Sequence, residues 1–228
     1  MNPFPNLSVR AYFLGAGMAL AVALAPWSVA ALPAPIFDTP SGAAGLQTVV
    51  LSGGCFWGVQ GVFEHVRGVQ KAISGYAGGK AGTAHYEIVS TGLTGHAESV
   101  KIVFDPKQIS FGEILRIYFT VATDPTQLNH QFPDEGPQYR GEIFYTNETQ
   151  KAVAQRYIGQ LTVAKAFTRP IVTRIDPLTG FFPAETYHQD YLTLHPDQPY
   201  IATYDLPKVA ALKALFPNLY RPRPVSAL

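Results

Sequence analysis

An apolar run, Thr48-Val49-Val50-Leu51, meets two glycines, Gly53 and Gly54, and then changes period: Phe56, Val59, Val62, Phe63 and Val66 recur at helical spacing. This order predicts a buried strand, a sharp turn and a helix running to about Arg67, so a helix must pack onto a sheet from the first elements onward. Cys55, the one cysteine in the chain, stands at the junction. At the start of a helix a thiol meets unpaired N–H groups and the positive end of the dipole, both of which favour thiolate. The glycines allow close approach of backbone and substrate, and Phe56 and Trp57 could line an apolar pocket beside the sulfur. A nucleophilic cysteine is expected. The bland alternative is an inert buried cysteine, a common fate for this residue, and the glycine turn argues against it.

Further along, Lys71–Tyr76 reads as a strand ending at Gly78-Gly79, and His85–Ser90 reads as another. Ala97–Phe104 is the clearest strand, with Val100, Ile102 and Phe104 alternating against Ser99, Lys101 and Val103. Ser110 and Glu113 form a capping-box pattern ahead of the helical stripe Ile114, Leu115, Tyr118 and Phe119. Thr123–Gly141, rich in Pro, Gly, Asp, Asn and Gln, is long for a connection, and such loops are commonly functional or disordered. Ile143–Tyr145 reads as a strand. Thr146 or Asn147 then caps a helix carrying Val153, Tyr157 and Leu161. Pro170–Ile175 is the last expected strand, Glu185–Leu192 a helical turn, and Lys208–Leu215 a short helix before a Pro-rich end. Several strands follow one another without helices between them, which favours an α+β fold. The expectation is a two-layer α/β sandwich with a mixed sheet, a ferredoxin-like core, long irregular loops and a C-terminal tail, as one domain over residues 46–228.

The beginning of the chain is different. Arg10 precedes the uncharged run Ala11–Ala25, then Pro26, Trp27 and the small-x-small ending Ser28-Val29-Ala30. This is the pattern of a secretory signal peptide over residues 1–30, cleaved near Ala30. An uncleaved anchor is the alternative, but the run of about fifteen residues is short against the roughly 20 needed to span a bilayer. Export to the periplasm, with no stable membrane insertion after cleavage, is expected, and residues 31–45 read as a flexible linker. Export also sharpens the question of Cys55, because a lone thiol in an oxidising compartment has no internal disulfide partner. A formal net charge of +1 offers no footprint for nucleic acid or an anionic membrane. No heptad or exposed apolar stripe argues for self-association, so a monomer is expected.

Glu98 shares strand parity with Val100, Ile102 and Phe104, which points it to the buried face, where desolvation would raise its pKa and make it a general acid. Its place at the strand start also leaves it able to reach solvent or cap a turn. Tyr86 and Tyr139 are phenols in polar surroundings, and Asp134 lies in the long loop. Cys55 with His96 or His188 and Asp190 could on paper form an acyl-transfer constellation, a weak signal without geometry. Six scattered histidines show no zinc-ligand spacing.

Taken in order, Gly53-Gly54-Cys55-Phe56-Trp57-Gly58, Gly75-Tyr76-Ala77-Gly78-Gly79, Tyr86-Glu87-Ile88-Val89, Thr94-Gly95-His96-Ala97-Glu98, Asp124-Pro125-Thr126-Gln127, Gln138-Tyr139-Arg140 and Tyr187-His188-Gln189-Asp190-Tyr191 resemble the motifs of the type A peptide methionine sulfoxide reductases. The resemblance spans about Val49 to Tyr220. It implies that Cys55 attacks the sulfur of a methionine-(S)-sulfoxide, that Glu98 protonates the departing oxygen, and that Tyr86, Tyr139 and Asp134 hold the oxygen and the acid. Phe56 and Trp57 would accept the substrate methyl group. It implies no bound cofactor, oxidised methionine in proteins or peptides as substrate, and a Cys55 sulfenic acid. Two departures stand out. His130-Gln131-Phe132-Pro133 replaces a usual Arg-Gln-Gly run before the loop aspartate, and Pro137 and Thr123 differ from the pattern as well. No second cysteine serves for recycling, so an external thiol, a thioredoxin-like protein or a small thiol, is expected to reduce the sulfenic acid.

Overall fold

The computed structural model describes residues 30–39 and 45–227. The leader reading of residues 1–30 lies, apart from Ala30, outside the described residues. In chain order the elements are β1 (Gln47–Ser52), α1 (Phe56–Glu64), β2 (Val69–Ala77), α2 (Tyr86–Val89), β3 (Ala97–Phe104), α3 (Phe111–Ile117), β4 (His130–Gln131), β5 (Asp134–Glu135), β6 (Glu142–Tyr145), α4 (Glu148–Val163), β7 (Arg174–Pro177), β8 (Phe181–Pro183), α5 (Tyr191–Leu194) and α6 (Leu206–Leu215).

Six strands form one mixed sheet in the order β7-β6-β1-β3-β2-β8. β1 pairs antiparallel with β3 and β6, β2 pairs antiparallel with β3 and β8, and β7 joins β6 in parallel. The central four strands, with α1 connecting β1 to β2 and α3 in the connection from β3 to β6, make the two split βαβ units of a ferredoxin-like core. The expected α+β two-layer sandwich is therefore what the chain forms. Val49 and Leu51 of β1, and Val100, Ile102 and Phe104 of β3, face the helices, where they join Phe56, Val59, Val62 and Phe63 of α1 in the main core. Each of these large side chains contributes about 1.5–3 kcal/mol by leaving water. Among the described residues, the opposite face holds a small cluster of Val50, Ala77 and Phe144, partly covered by Leu178 and Phe181.

Local signals are met where they are strong. Ser110 accepts a hydrogen bond from the Glu113 N–H at the start of α3, and Asn147 accepts one from Gln150 N–H at the start of α4. Three expectations change. His85–Ser90 contains the short helix α2 rather than a strand, because Tyr86, Ile88 and Val89 are too few to distinguish the two periods. The strand expected at Pro170–Ile175 lies at Arg174–Pro177, where it pairs with β6. Residues 31–39, read as flexible linker from composition, are docked. Leu32 is buried, Tyr157 donates its hydroxyl hydrogen to the Pro33 carbonyl at 2.8 Å, and Asp38 accepts from Ser110 Oγ at 2.5 Å and Gly112 N at 2.8 Å. These partners lie 72 or more residues away in the chain, beyond the reach of a local pattern.

Candidate active site

The turn between β1 and α1 is built on two glycines with different reasons to be glycine. Gly54 has φ +95°, and a Cβ there would sit 2.7 Å from Cβ of Gln131. A Cβ on Gly53 would meet Thr123 at 2.8 Å. The long loop is thereby pressed against the backbone that delivers Cys55. That loop is itself tied down: Gln131 donates through Nε2 to the Asp124 carbonyl and accepts from the Asp124 N–H, and Asp124 accepts from Thr126 and Gln127.

Cys55 caps α1 and is 8% exposed. Phe56 N–H, in the first turn, donates to Glu98 Oε2 at 3.0 Å, while the Cys55 side chain makes no capping hydrogen bond of its own. Glu98 is 2% exposed, on the helix-facing side of β3, as parity required. Burial pushes its carboxyl up to about 8, further raised by the charges of Asp134 and Asp205 and opposed by the Phe56 N–H. At neutral pH Glu98 therefore holds its proton. The helix start alone predicts a thiolate at Cys55, but the structure reverses that. Burial, then the nearby Glu98 and Asp205 carboxyls, push the thiol well above its ordinary range, and the Trp57 N–H does not offset them. The resting pair is an un-ionised thiol beside an un-ionised acid.

Around this pair lie the other expected polar residues. Burial, with the charges of Glu98 and Cys55, pushes the Tyr86 phenol up to about 12, and Tyr139 is raised by burial and by Glu98, Asp134 and Cys55. Asp134 accepts a hydrogen bond from the Tyr200 hydroxyl, and burial raises its pKa. Tyr86, Tyr139, Asp134, Glu98 and Cys55 thus form one electrostatic cluster. Glu185 steadies it from the side by accepting from the Tyr86 N–H at 3.0 Å and the Tyr76 hydroxyl at 2.8 Å.

The apolar wall is Phe56 and Trp57 with partners from the C-terminal third of the chain. Trp57 stacks on Tyr191 at 3.9 Å and donates through Nε1 to His188 Nδ1 at 3.1 Å. The Phe56 ring lies 5.0 Å from the His188 ring. His188 accordingly serves the wall. His96 is engaged elsewhere, accepting from Gly79 N–H and contacting the Lys80 carbonyl. Asp190 sits at the far end of α1, where it accepts from Ser226 Oγ and Ala227 N–H and hydrogen-bonds Glu64, whose carboxyl burial and that contact raise to about 9. The Cys-His-Asp constellation is not assembled.

Three residues escaped the sequence reading. Tyr200 bonds Asp134. Asp205 is fully buried against the first turn of α1, where a Cβ on Gly58 would clash with its Oδ1. Lys208 donates to that oxygen at 3.1 Å. All three come from the tail, and no short motif marks them; only the fold carries them to Cys55.

The family model described as peptide methionine sulfoxide reductase matches residues 47–218. The chain is 59% identical over 186 residues to peptide methionine sulfoxide reductase MsrA 2 of Mesorhizobium japonicum, covering 82% of this chain and 95% of the relative. To the protein of the same name from Synechocystis it is 47% identical over 199 residues, covering 85% and 92%. Among solved structures it is similar to methionine sulfoxide reductase A of Corynebacterium diphtheriae, with TM-score 0.57, 32% identity, and coverage of 75% of this chain and 86% of that one. It is also similar to reduced Mxr1 of Saccharomyces cerevisiae, with TM-score 0.62, 28% identity, and coverage of 72% and 94%.

Proposed function

The chain belongs to the peptide methionine sulfoxide reductase family, and from that premise we propose that it reduces methionine-(S)-sulfoxide, free or within polypeptides, through Cys55 and Glu98. The observation that carries this reading is that one helix start holds a buried thiol, Cys55, beside a buried acid, Glu98, that is bonded to the Phe56 N–H and keeps its proton up to about pH 8.

The Cys55 sulfur attacks the sulfoxide sulfur while the Glu98 proton goes to the sulfoxide oxygen, whose developing negative charge needs it. The thiol proton restores Glu98. The oxygen then passes to Cys55 as methionine departs. In net terms the S–H and S=O bonds break and S–O and O–H bonds form. The cysteine sulfur loses the two electrons that the methionine sulfur gains, leaving Cys55 as a sulfenic acid. The Tyr86 and Tyr139 phenols, kept neutral by their raised pKa, donate hydrogen bonds to the oxygen, and Asp134 holds Tyr200 in place. Phe56 and Trp57 receive the methyl group.

With a single cysteine in the sequence, no internal disulfide can follow. An outside thiol attacks the sulfenic sulfur with loss of water, and a second thiol frees Cys55 from the mixed disulfide. The leader pattern of residues 1–30 supports a place of work outside the cytoplasm. Dithiothreitol-driven turnover of a peptide containing each sulfoxide epimer tests the reading: the S epimer is expected to be reduced and the R epimer not. Equal reduction of both epimers, or of neither, would count against it.

A further inference from the structure

Phe132 occupies the loop against the Cys55 turn and is 63% exposed. A single exposed aromatic is ordinary on a protein surface, but this one is the outer end of a series. Its ring meets Tyr204 edge-on at 5.9 Å, Tyr204 meets Tyr200 at 5.1 Å, and Tyr200 meets Trp57 edge-on at 6.2 Å. Trp57 is the wall of the site itself. The series thus runs ring to ring from the wall of the site to solvent. Tyr200 is fixed by Asp134, and the Phe132 backbone is fixed because its N–H donates to Gln127 Oε1 at 2.8 Å. Gln127 in turn donates to Asp124. The backbone that carries the exposed ring is therefore fixed before anything binds, and the ring itself rests edge-on against Tyr204, which lowers the entropic cost of using it.

We propose that Phe132 and Tyr204 form an extension subsite for a polypeptide substrate, binding an aromatic or branched aliphatic side chain on the segment that carries the oxidised methionine. The proposal rests on the reductase reading above. A free amino acid seated against Trp57 cannot reach a ring three contacts away, whereas an extended chain advances about 3.3–3.6 Å per residue and brings a side chain there within about two to four residues. Aromatic faces favour such partners by stacking or edge contact. An outside thiol protein approaching the same mouth is the rival occupant.

The test compares kcat/KM, with dithiothreitol as reductant, for N-acetyl-methionine-(S)-sulfoxide amide and for two peptide sets bearing either Phe or Ser two to four residues from the oxidised methionine. Wild type is expected to prefer the best Phe peptide over its Ser counterpart by about fivefold to tenfold, the size of one aromatic contact. Phe132→Ser is expected to bring that ratio within about twofold, and Phe132→Tyr to keep it, on the same contact scale. A wild-type ratio near unity, a ratio that survives Phe132→Ser, or a loss shared equally by all substrates would overturn the subsite. So would an effect of Phe132→Ser confined to the KM for thioredoxin when that protein replaces dithiothreitol. If wild type reduces none of these compounds, the reductase reading fails instead. Calorimetric binding of the unoxidised Phe and Ser peptides to the Cys55→Ser protein, with and without Phe132→Ser, then decides the subsite independently of turnover.

Discussion

Glu98→Gln is expected to lower kcat for methionine-(S)-sulfoxide reduction by about 10²–10⁴-fold, the usual contribution of a positioned general acid. The glutamine amide oxygen can still accept the Phe56 N–H that Glu98 Oε2 accepts at 3.0 Å, so the start of α1 keeps its support and the loss falls on proton delivery. The pH profile separates this from a structural defect. Burial holds the Glu98 proton up to about pH 8, and catalysis needs the protonated form. Wild-type activity should therefore be sustained through neutral pH and decline as pH rises past about 8. In Glu98→Gln that decline should vanish, leaving low activity that no longer falls at that point. A variant that lost activity but retained the wild-type decline would assign the titrating acid elsewhere.

Cys55→Ser is expected to abolish turnover altogether. The chain contains no other cysteine, so no second thiol can take over, and a serine hydroxyl cannot accept the oxygen in a reversible two-electron step. The substitution replaces one small side chain by another of the same shape at a site that is 8% exposed. The melting temperature should therefore move by only a few degrees, roughly what a change of 1 kcal/mol produces in a domain of this size. Residual turnover with a normal melting curve would show that another group carries the chemistry.

How much of this could be read from the chain depends on how local each signal is. The strand at Ala97–Phe104 and the change of period across Gly53–Gly58 are properties of neighbouring residues, and the fold uses both as read. The inward face of Glu98 follows from the same alternation. The protonation of Cys55 does not, because the helix terminus is local, whereas the burial and the Asp205 carboxyl that outweigh it come from the assembled fold. Tyr200, Asp205 and Lys208 were hidden for the same reason. They sit in an unmarked stretch of the tail and acquire meaning only when residues 200–208 pack on α1 beside Trp57 and Gly58. The docking of residues 31–39 is the structural counterpart. Composition suggests a linker, and contacts with Ser110, Gly112 and Tyr157 make it part of the domain.

The most direct test of the central claim is a single turnover without any thiol. Reduced protein is mixed with excess methionine-(S)-sulfoxide peptide, and the products are measured by mass spectrometry with dimedone present to trap sulfenic acid. The account predicts one methionine formed per chain, a dimedone adduct on Cys55, and, in a parallel sample without dimedone, no further methionine until a thiol is added. Methionine formation that continues without thiol, or stops without a Cys55 adduct, would contradict it.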